Sequence, residues 1–222
     1  MFFDLKKIIL SFVIAFVLGS ANAKIQVIMI NPAGDAKNVG RRLNEGFERT
    51  EAYKWAEKIQ HEVQDRFGIK VVLTRAPGDE IVPLQNASFA NRLNTDLFLS
   101  LHLYKDDSDK PKIYVYQHGY NKLVDFARRS YGDQLKFAPI FQAHQQNIFK
   151  TRDYINVFKN TLTKSEYQQS FDFFEPKFLP LKPLAGITAP SIAIEIGING
   201  DNKWNLFEEP LVEYIGQLIN WG

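Results

Sequence analysis

The sequence predicts an α/β fold, a mainly parallel twisted sheet flanked by helices. Three observations carry that expectation. Apolar runs of strand length recur at residues 25–30, 69–74, 96–102 and 189–199. Longer stretches with apolar residues at helical spacing, 48–67 and 206–221, lie between or after them. The first and third runs are apolar on both faces, as strands covered by helices are. Strands alternating with helices close into a parallel sheet. At 222 residues and 45% hydrophobic content, the chain fits one domain with a real core.

The elements follow in order. Residues 25–30 hold one Gln among apolar neighbours and end in Asn31-Pro32-Ala33-Gly34-Asp35-Ala36. That composition is a loop, continuing to about residue 47. Residues 48–67 read as a helix, because Trp55, Ile59 and Val63 recur at i, i+4, i+8 beside Ala52 and Ala56. Gly68 stops it. Glu51 extends the apolar face by one turn and so points inward at the helix start. A second strand at 69–74, a turn-rich loop at 75–83 and a short helix at 84–93 follow. Strands are expected at 96–102 and 113–117, and a helix at 121–131. From 133 to 183 the pattern is weak, with helical stretches near 140–149 and 153–162. Such a stretch is either a lid or insertion, or extra helical packing. The strand at 189–199 and the closing helix at 206–221 complete the chain.

Residues 1–23 read as a signal peptide. Lys6 and Lys7 form a basic start, residues 8–18 an apolar run, and Gly19-Ser20-Ala21-Asn22-Ala23 an Ala-x-Ala cleavage pattern. The expectation is export, periplasmic or secreted, with residues 24–222 forming a single domain. No second apolar stretch is long enough to span a membrane, and no cysteine follows the first to carry a lipid. Without any cysteine, the exported domain is held by its core alone. The net charge of +2, with Arg41-Arg42 and Arg128-Arg129 as isolated pairs, argues against a nucleic-acid partner.

The strand at 189–199 carries Ile192, Ile194, Ile196 and Ile198 on one face, and Ser191, Ala193, Glu195, Gly197 and Asn199 on the other. Burying a lone carboxylate costs several kcal/mol, on the order of 2–7 for a polar group without a partner. Glu195 therefore either faces water on an edge strand or has something seated against it. Ligands in open α/β sheets bind beyond the carboxyl ends of the strands. The Asn31 loop, His102 and Glu195 are all expected there, and Glu51 starts the helix after that loop. Catalytic zinc sites use three His or carboxylate ligands and keep a position for water. A separate carboxylate then moves the proton. His102 and Glu51 suit ligands and Glu195 suits the base. Taken singly, each has a plainer role: a strand-end histidine in a hydrogen bond, or a first-turn glutamate complementing the helix dipole.

The chain resembles the zinc-dependent N-acetylmuramoyl-L-alanine amidases of bacterial cell walls. Val71-Val72-Leu73-Thr74-Arg75 is similar to that family's second strand. Ala90-Asn91 and Thr95-Asp96-Leu97-Phe98-Leu99-Ser100-Leu101-His102 are similar to its "D-L-F-x-S-x-H" segment. Ala189-Pro190 with Ile194-Glu195-Ile196-Gly197 is similar to its catalytic-glutamate strand. The resemblance implies a phosphorylase/hydrolase-like α/β domain, zinc or another divalent metal held by His102 and Glu51, and Glu195 as the catalytic acid/base. It implies hydrolysis of the amide between N-acetylmuramic acid and the stem peptide's L-alanine. It also implies peptidoglycan as partner, with a regulatory protein acting through residues 133–183.

The departures are specific. The family's first strand ends in Asp-Pro-Gly-His-Gly-Gly, whose histidine binds the metal, whereas this chain has Asn31-Pro32-Ala33-Gly34-Asp35-Ala36. Tyr104 and Ile198 replace an asparagine and an aromatic, and the arginine expected before Ala90-Asn91 is absent. Asp35 is the nearest replacement ligand. A site of Asp35, Glu51 and His102 is oxygen-rich and suits harder metals better than a two-histidine site. The alternative reading is an inactive relative that binds peptidoglycan or a cell-wall partner without cleaving it. His61 falls off the buried helix face, while His118 and His144 lie where either could fold over the site.

Overall fold

The computed structural model describes residues 24–82, 84–119, 140–200 and 203–221. The segment read as a signal peptide and the helix expected at 121–131 lie outside the described residues. The described strands are β1 (Val27–Pro32), β2 (Lys70–Leu73), β3 (Leu97–Lys105), β4 (Lys112–His118), β5 (Asp172–Phe173), β6 (Lys177–Leu179) and β7 (Ser191–Ile198). The α-helices are α1 (Glu48–Phe67), α2 (Gln85–Arg92), α3 (Ile148–Leu162), α4 (Ser165–Gln168) and α5 (Glu208–Ile219).

The sheet order is β2-β1-β3-β7-β4-β5, with β6 also pairing β4. β2, β1, β3 and β7 are mutually parallel, and β4 runs antiparallel to β7. The expected mainly parallel sheet is present. The reversed β4 and the short strands β5 and β6 refine it. The β3–β4 connection, residues 106–111, is too short for the crossover that two parallel neighbours would need.

Each core strand is buried because helices cover both faces. One face carries Ile28, Ile30, Leu99, Leu101, Ile192, Ile194 and Ile196, packed on α1, α3 and α5. The other carries Met29, Phe98 and Ala193, packed on Ala87 and Ala90 of α2 and on Leu184 and Ile187. α1 spans the predicted residues and presents Trp55, Ile59 and Val63 to the core with no exposure. It ends at Gly68, whose φ of 66° suits the left-handed cap.

Residues 140–183 hold more structure than their pattern signals. A 3₁₀ turn at Ile140–Asn147 leads into α3. α3 buries Tyr154, Ile155, Phe158 and Leu162 in the main core. An apolar stripe mixed with aromatic and polar residues reads weakly in sequence, yet its aromatics supply large buried area.

Trp55 is the largest side chain with no exposure, and its removal leaves a cavity that the close-packed sheet cannot fill. The expected outcome for Trp55→Ala is a loss of about 3–5 kcal/mol in chemical denaturation. A loss below about 1 kcal/mol would show that this contact does not anchor α1.

Candidate active site at the carboxyl edge of the sheet

The parallel strands deliver their carboxyl ends to one edge. In the β3–β7 register His102 pairs with Glu195, and in the β4–β7 register Tyr114 pairs with Glu195. Paired residues on neighbouring strands share a face. Ser100, His102 and Tyr104 therefore stand beside Ala193, Glu195 and Gly197, with Tyr114 and Tyr116 across β7. β7 is an interior strand, so Glu195 is not on an edge. Its side chain is 16% exposed.

Two groups are seated against Glu195. An Arg41 Nη1 lies 2.5 Å from Oε1, and the Tyr116 hydroxyl donates to Oε2 at 2.8 Å. Burial alone would lower the Arg41 pKa. The hydrogen bond and charge of Glu195, with the charge of Glu48, outweigh it and raise the value. Burial, and then the bond to Glu195, push the Tyr116 phenol well above its ordinary range. The Arg41 guanidinium also lies 5.8 Å from the centre of the Tyr104 ring. These residues, with Arg42, Lys105 and Tyr114, line an open cleft of about 550 Å³.

A second buried carboxylate stands at the same edge. Glu48, the first residue of α1, has its Oε1 3.5 Å from His102 Nδ1. That oxygen also accepts the Leu103 N–H at 3.0 Å, and Oε2 accepts the Arg41 N–H at 3.0 Å. Burial works to raise the Glu48 pKa. Hydrogen bonds from His102, Arg41 and Leu103 overcome it and hold the carboxyl below the usual range. The other ring nitrogen of His102 is 2.8 Å from Ser100 Oγ. A chain leads to it: Thr74 Oγ1 donates to Asn31 Oδ1, and Asn31 Nδ2 donates to Ser100 Oγ. The two ring nitrogens of His102 thus face Ser100 on one side and Glu48 on the other.

The loop after β1 is closed by its own hydrogen bonds. The Asp35 Oδ1 accepts the N–H groups of Lys37 and Asn38 at 2.8 and 2.7 Å, an Asx turn. Burial opposes these bonds, but they lower the Asp35 pKa. Gly34 has φ +75°, and a Cβ there would lie 2.7 Å from Arg49 Cβ. No side chain fits at that position without moving α1. Asp35 and His102 do line one cavity of about 610 Å³, with Asn31, Asn38 and Asn86.

The ligand trio expected from sequence is not assembled. Among the described residues, no three His, Cys, Asp or Glu side chains are grouped to hold a metal. The Glu51 carboxylate points inward as expected, but Trp204 Nε1 donates to it at 3.0 Å and Lys54 Nζ at 2.7 Å. Glu48, one turn nearer the sheet edge, takes the place beside His102. The signal for it was present: Glu48 precedes Ala52 and Trp55 by four and seven residues, on the same inward face. Arg41 was read as surface charge, and nothing in its local sequence marks it. His61 is exposed. His118 and His144 are buried against each other, ring centres 4.9 Å apart.

The Glu48 carboxyl titrates lower in the folded chain than its ordinary value of 4.5, so it stabilises the fold above that pH and loses this contribution as pH falls through the lowered value. Glu48→Gln has no such group. Its melting temperature is expected to be lower than wild type near neutrality, by about 1–3 kcal/mol equivalent, and the gap is expected to narrow on acidification. Thermal melts from neutral pH to pH 3 test this; a constant gap would contradict the assigned hydrogen bonds.

Among solved structures, the chain is similar to amidase AmiC2 of Nostoc punctiforme, at 17% identity and TM-score 0.59, over 87% of this chain and 94% of that one. It is similar to Ami1 of Mycobacterium smegmatis at 12% identity and TM-score 0.60, over 91% and 100%. It is similar to the CwlD amidase of Clostridioides difficile, solved in complex with the GerS lipoprotein, at 13% identity and TM-score 0.55, over 87% and 95%. At these identities the likeness is one of fold. Comparison with curated proteins gives no match. The sequence model described as N-acetylmuramoyl-L-alanine amidase matches residues 28–210, which takes in β1, both buried carboxylates and α1 through β7. The chain therefore belongs to the N-acetylmuramoyl-L-alanine amidase family of hydrolases.

Proposed function

We propose that the chain is an exported peptidoglycan hydrolase that cleaves the amide between N-acetylmuramic acid and the L-alanine of the stem peptide. Family membership across the site supports it. So does the adjacency of His102 and Glu195 at the carboxyl edge. Export rests on residues 1–23 as read above. Among the described residues no helix is long and apolar enough to cross a membrane.

The family is typically zinc-dependent. The residues present do not fit a complete zinc site. Glu48 and His102 adjoin, but Gly34 occupies the position of the family's first histidine and leaves no room for one. Asp35 is engaged by its own turn, and both nitrogens of His102 face hydrogen-bond partners. No step is therefore routed through a metal. In the proposed reaction Glu195 takes a proton from the attacking water as the carbon–oxygen bond forms. It returns the proton to the alanine nitrogen as the carbon–nitrogen bond breaks. Tyr116 and Arg41 orient the carboxylate. The Arg41 guanidinium offers positive charge where the amide oxygen becomes negative.

Incubation of the mature protein with purified peptidoglycan is expected to release new free L-alanine amino termini. Glu195→Gln is expected to lower that release by about 100-fold or more. A second reading, binding without cleavage, is favoured by the ion pair that occupies Glu195. Retained peptidoglycan binding with no release in any added divalent metal would establish the second reading and end the first.

The reading extends to a regulatory protein partner acting through residues 133–183. Ile140, in that segment, lies against Gly186, the residue after Ala185, which lines a cavity together with His102. If the segment restrains access until a partner moves it, Ile140→Ser raises cleavage by the purified protein several-fold. Unchanged cleavage would remove the lid from the proposal.

A further inference from the structure

At the carboxyl edge the chain gathers two carboxylates and one imidazole, Glu48, Glu195 and His102. Two carboxylates drawn out of water at one edge need a positive charge close by. In this chain a side chain supplies it. The Arg41 Nη1 lies 2.5 Å from Glu195, and the guanidinium feels the charge of Glu48 as well. The Arg41 backbone N–H is itself fixed on Glu48 Oε2 at 3.0 Å, so main chain and side chain of one residue engage both carboxylates. The Tyr104 ring, where the family has asparagine, flanks the guanidinium at 5.8 Å. The Gly34 backbone, closed on Arg49, removes the place from which a second imidazole would come.

We propose that the Arg41 guanidinium is the resident cation of this site and takes the place of a divalent metal. The inference rests on reading this edge as the active site. A guanidinium brings one positive charge and a fork of N–H donors. It offsets the charge of the two carboxylates and meets a carbonyl or carboxylate oxygen of the ligand, without drawing on environmental zinc. It also repels a second cation from the Glu48–His102 pair.

The test uses the mature protein alone, so that a failure to cleave peptidoglycan does not bear on it. Protein purified without chelators is expected to carry well under one equivalent of zinc by elemental analysis. Calorimetric titration is expected to show zinc binding at least about tenfold tighter to Arg41→Ala than to wild type, because a like charge leaves and two carboxylates lose their counter-ion. Arg41→Lys, which keeps the charge, is expected to bind zinc as weakly as wild type. Circular dichroism and thermal melts check folding. Should Arg41→Ala fail to fold, Arg41→Gln, neutral and of similar reach, takes its place in the same comparison. Stoichiometric zinc in the wild type, or equal zinc affinity for wild type and the neutral variant, would overturn the proposal.

Discussion

Two carboxylates drawn to the covered edge of a parallel sheet need positive charge close by, and this constraint shapes the region around them. A carboxylate removed from water is costly unless paired and hydrogen-bonded. Glu48 is 4% exposed and Glu195 is held between β3 and β4. Arg41 answers both, its backbone on one and its guanidinium on the other. The loop that carries Arg41 has to return to the helix start to do so, which fixes its course between β1 and α1.

The rest of that loop is built to the same end. Arg75, itself buried, donates to the carbonyls of Pro32, Ala33 and Arg49, tying the end of β1 to the start of α1. Burial lowers the Arg75 pKa, and the nearby charge of Asp35 only partly offsets this. Asp35 closes its own turn, and Gly34 lets the chain pass tightly against Arg49. The family's scaffold is thus kept while its first metal-binding segment is rebuilt around a cation from within the chain. The core tolerates this because the change lies beyond the strand ends, where loops vary at little cost to packing.

Much of the fold was legible from pattern. α1 spans the residues its 3.6-residue period marks, and β1, β3 and β7 fall on the apolar runs. The less legible parts have identifiable causes. α3 mixes polar residues into an aromatic stripe, so its period is blurred. β5 and β6 are two and three residues long, below any periodic signal. For the site, sequence placed His102 and Glu195 at strand ends on one edge of the sheet, but not the carboxylate beside His102. Glu48 and Glu51 lie on the same inward face, one turn apart. Only the packing of α1 against β3 and against the 3₁₀ turn at Lys203–Phe207 shows that the first meets Leu103 and the second meets Trp204.

By itself, the sequence determined the fold class, the positions of β1, β3, β7 and α1, the family and the shared edge of His102 and Glu195. These follow from periodic burial and from local motifs, which act over a few residues and are written in the chain. Tertiary structure alone decided which charge neutralises Glu195, which glutamate faces His102, and that Asp35 serves its own turn. Arg41 and Glu195 are far apart in sequence, and their pairing depends on a return path that no local pattern encodes. A charged side chain can reach several partners equally well until the fold removes water from all but one.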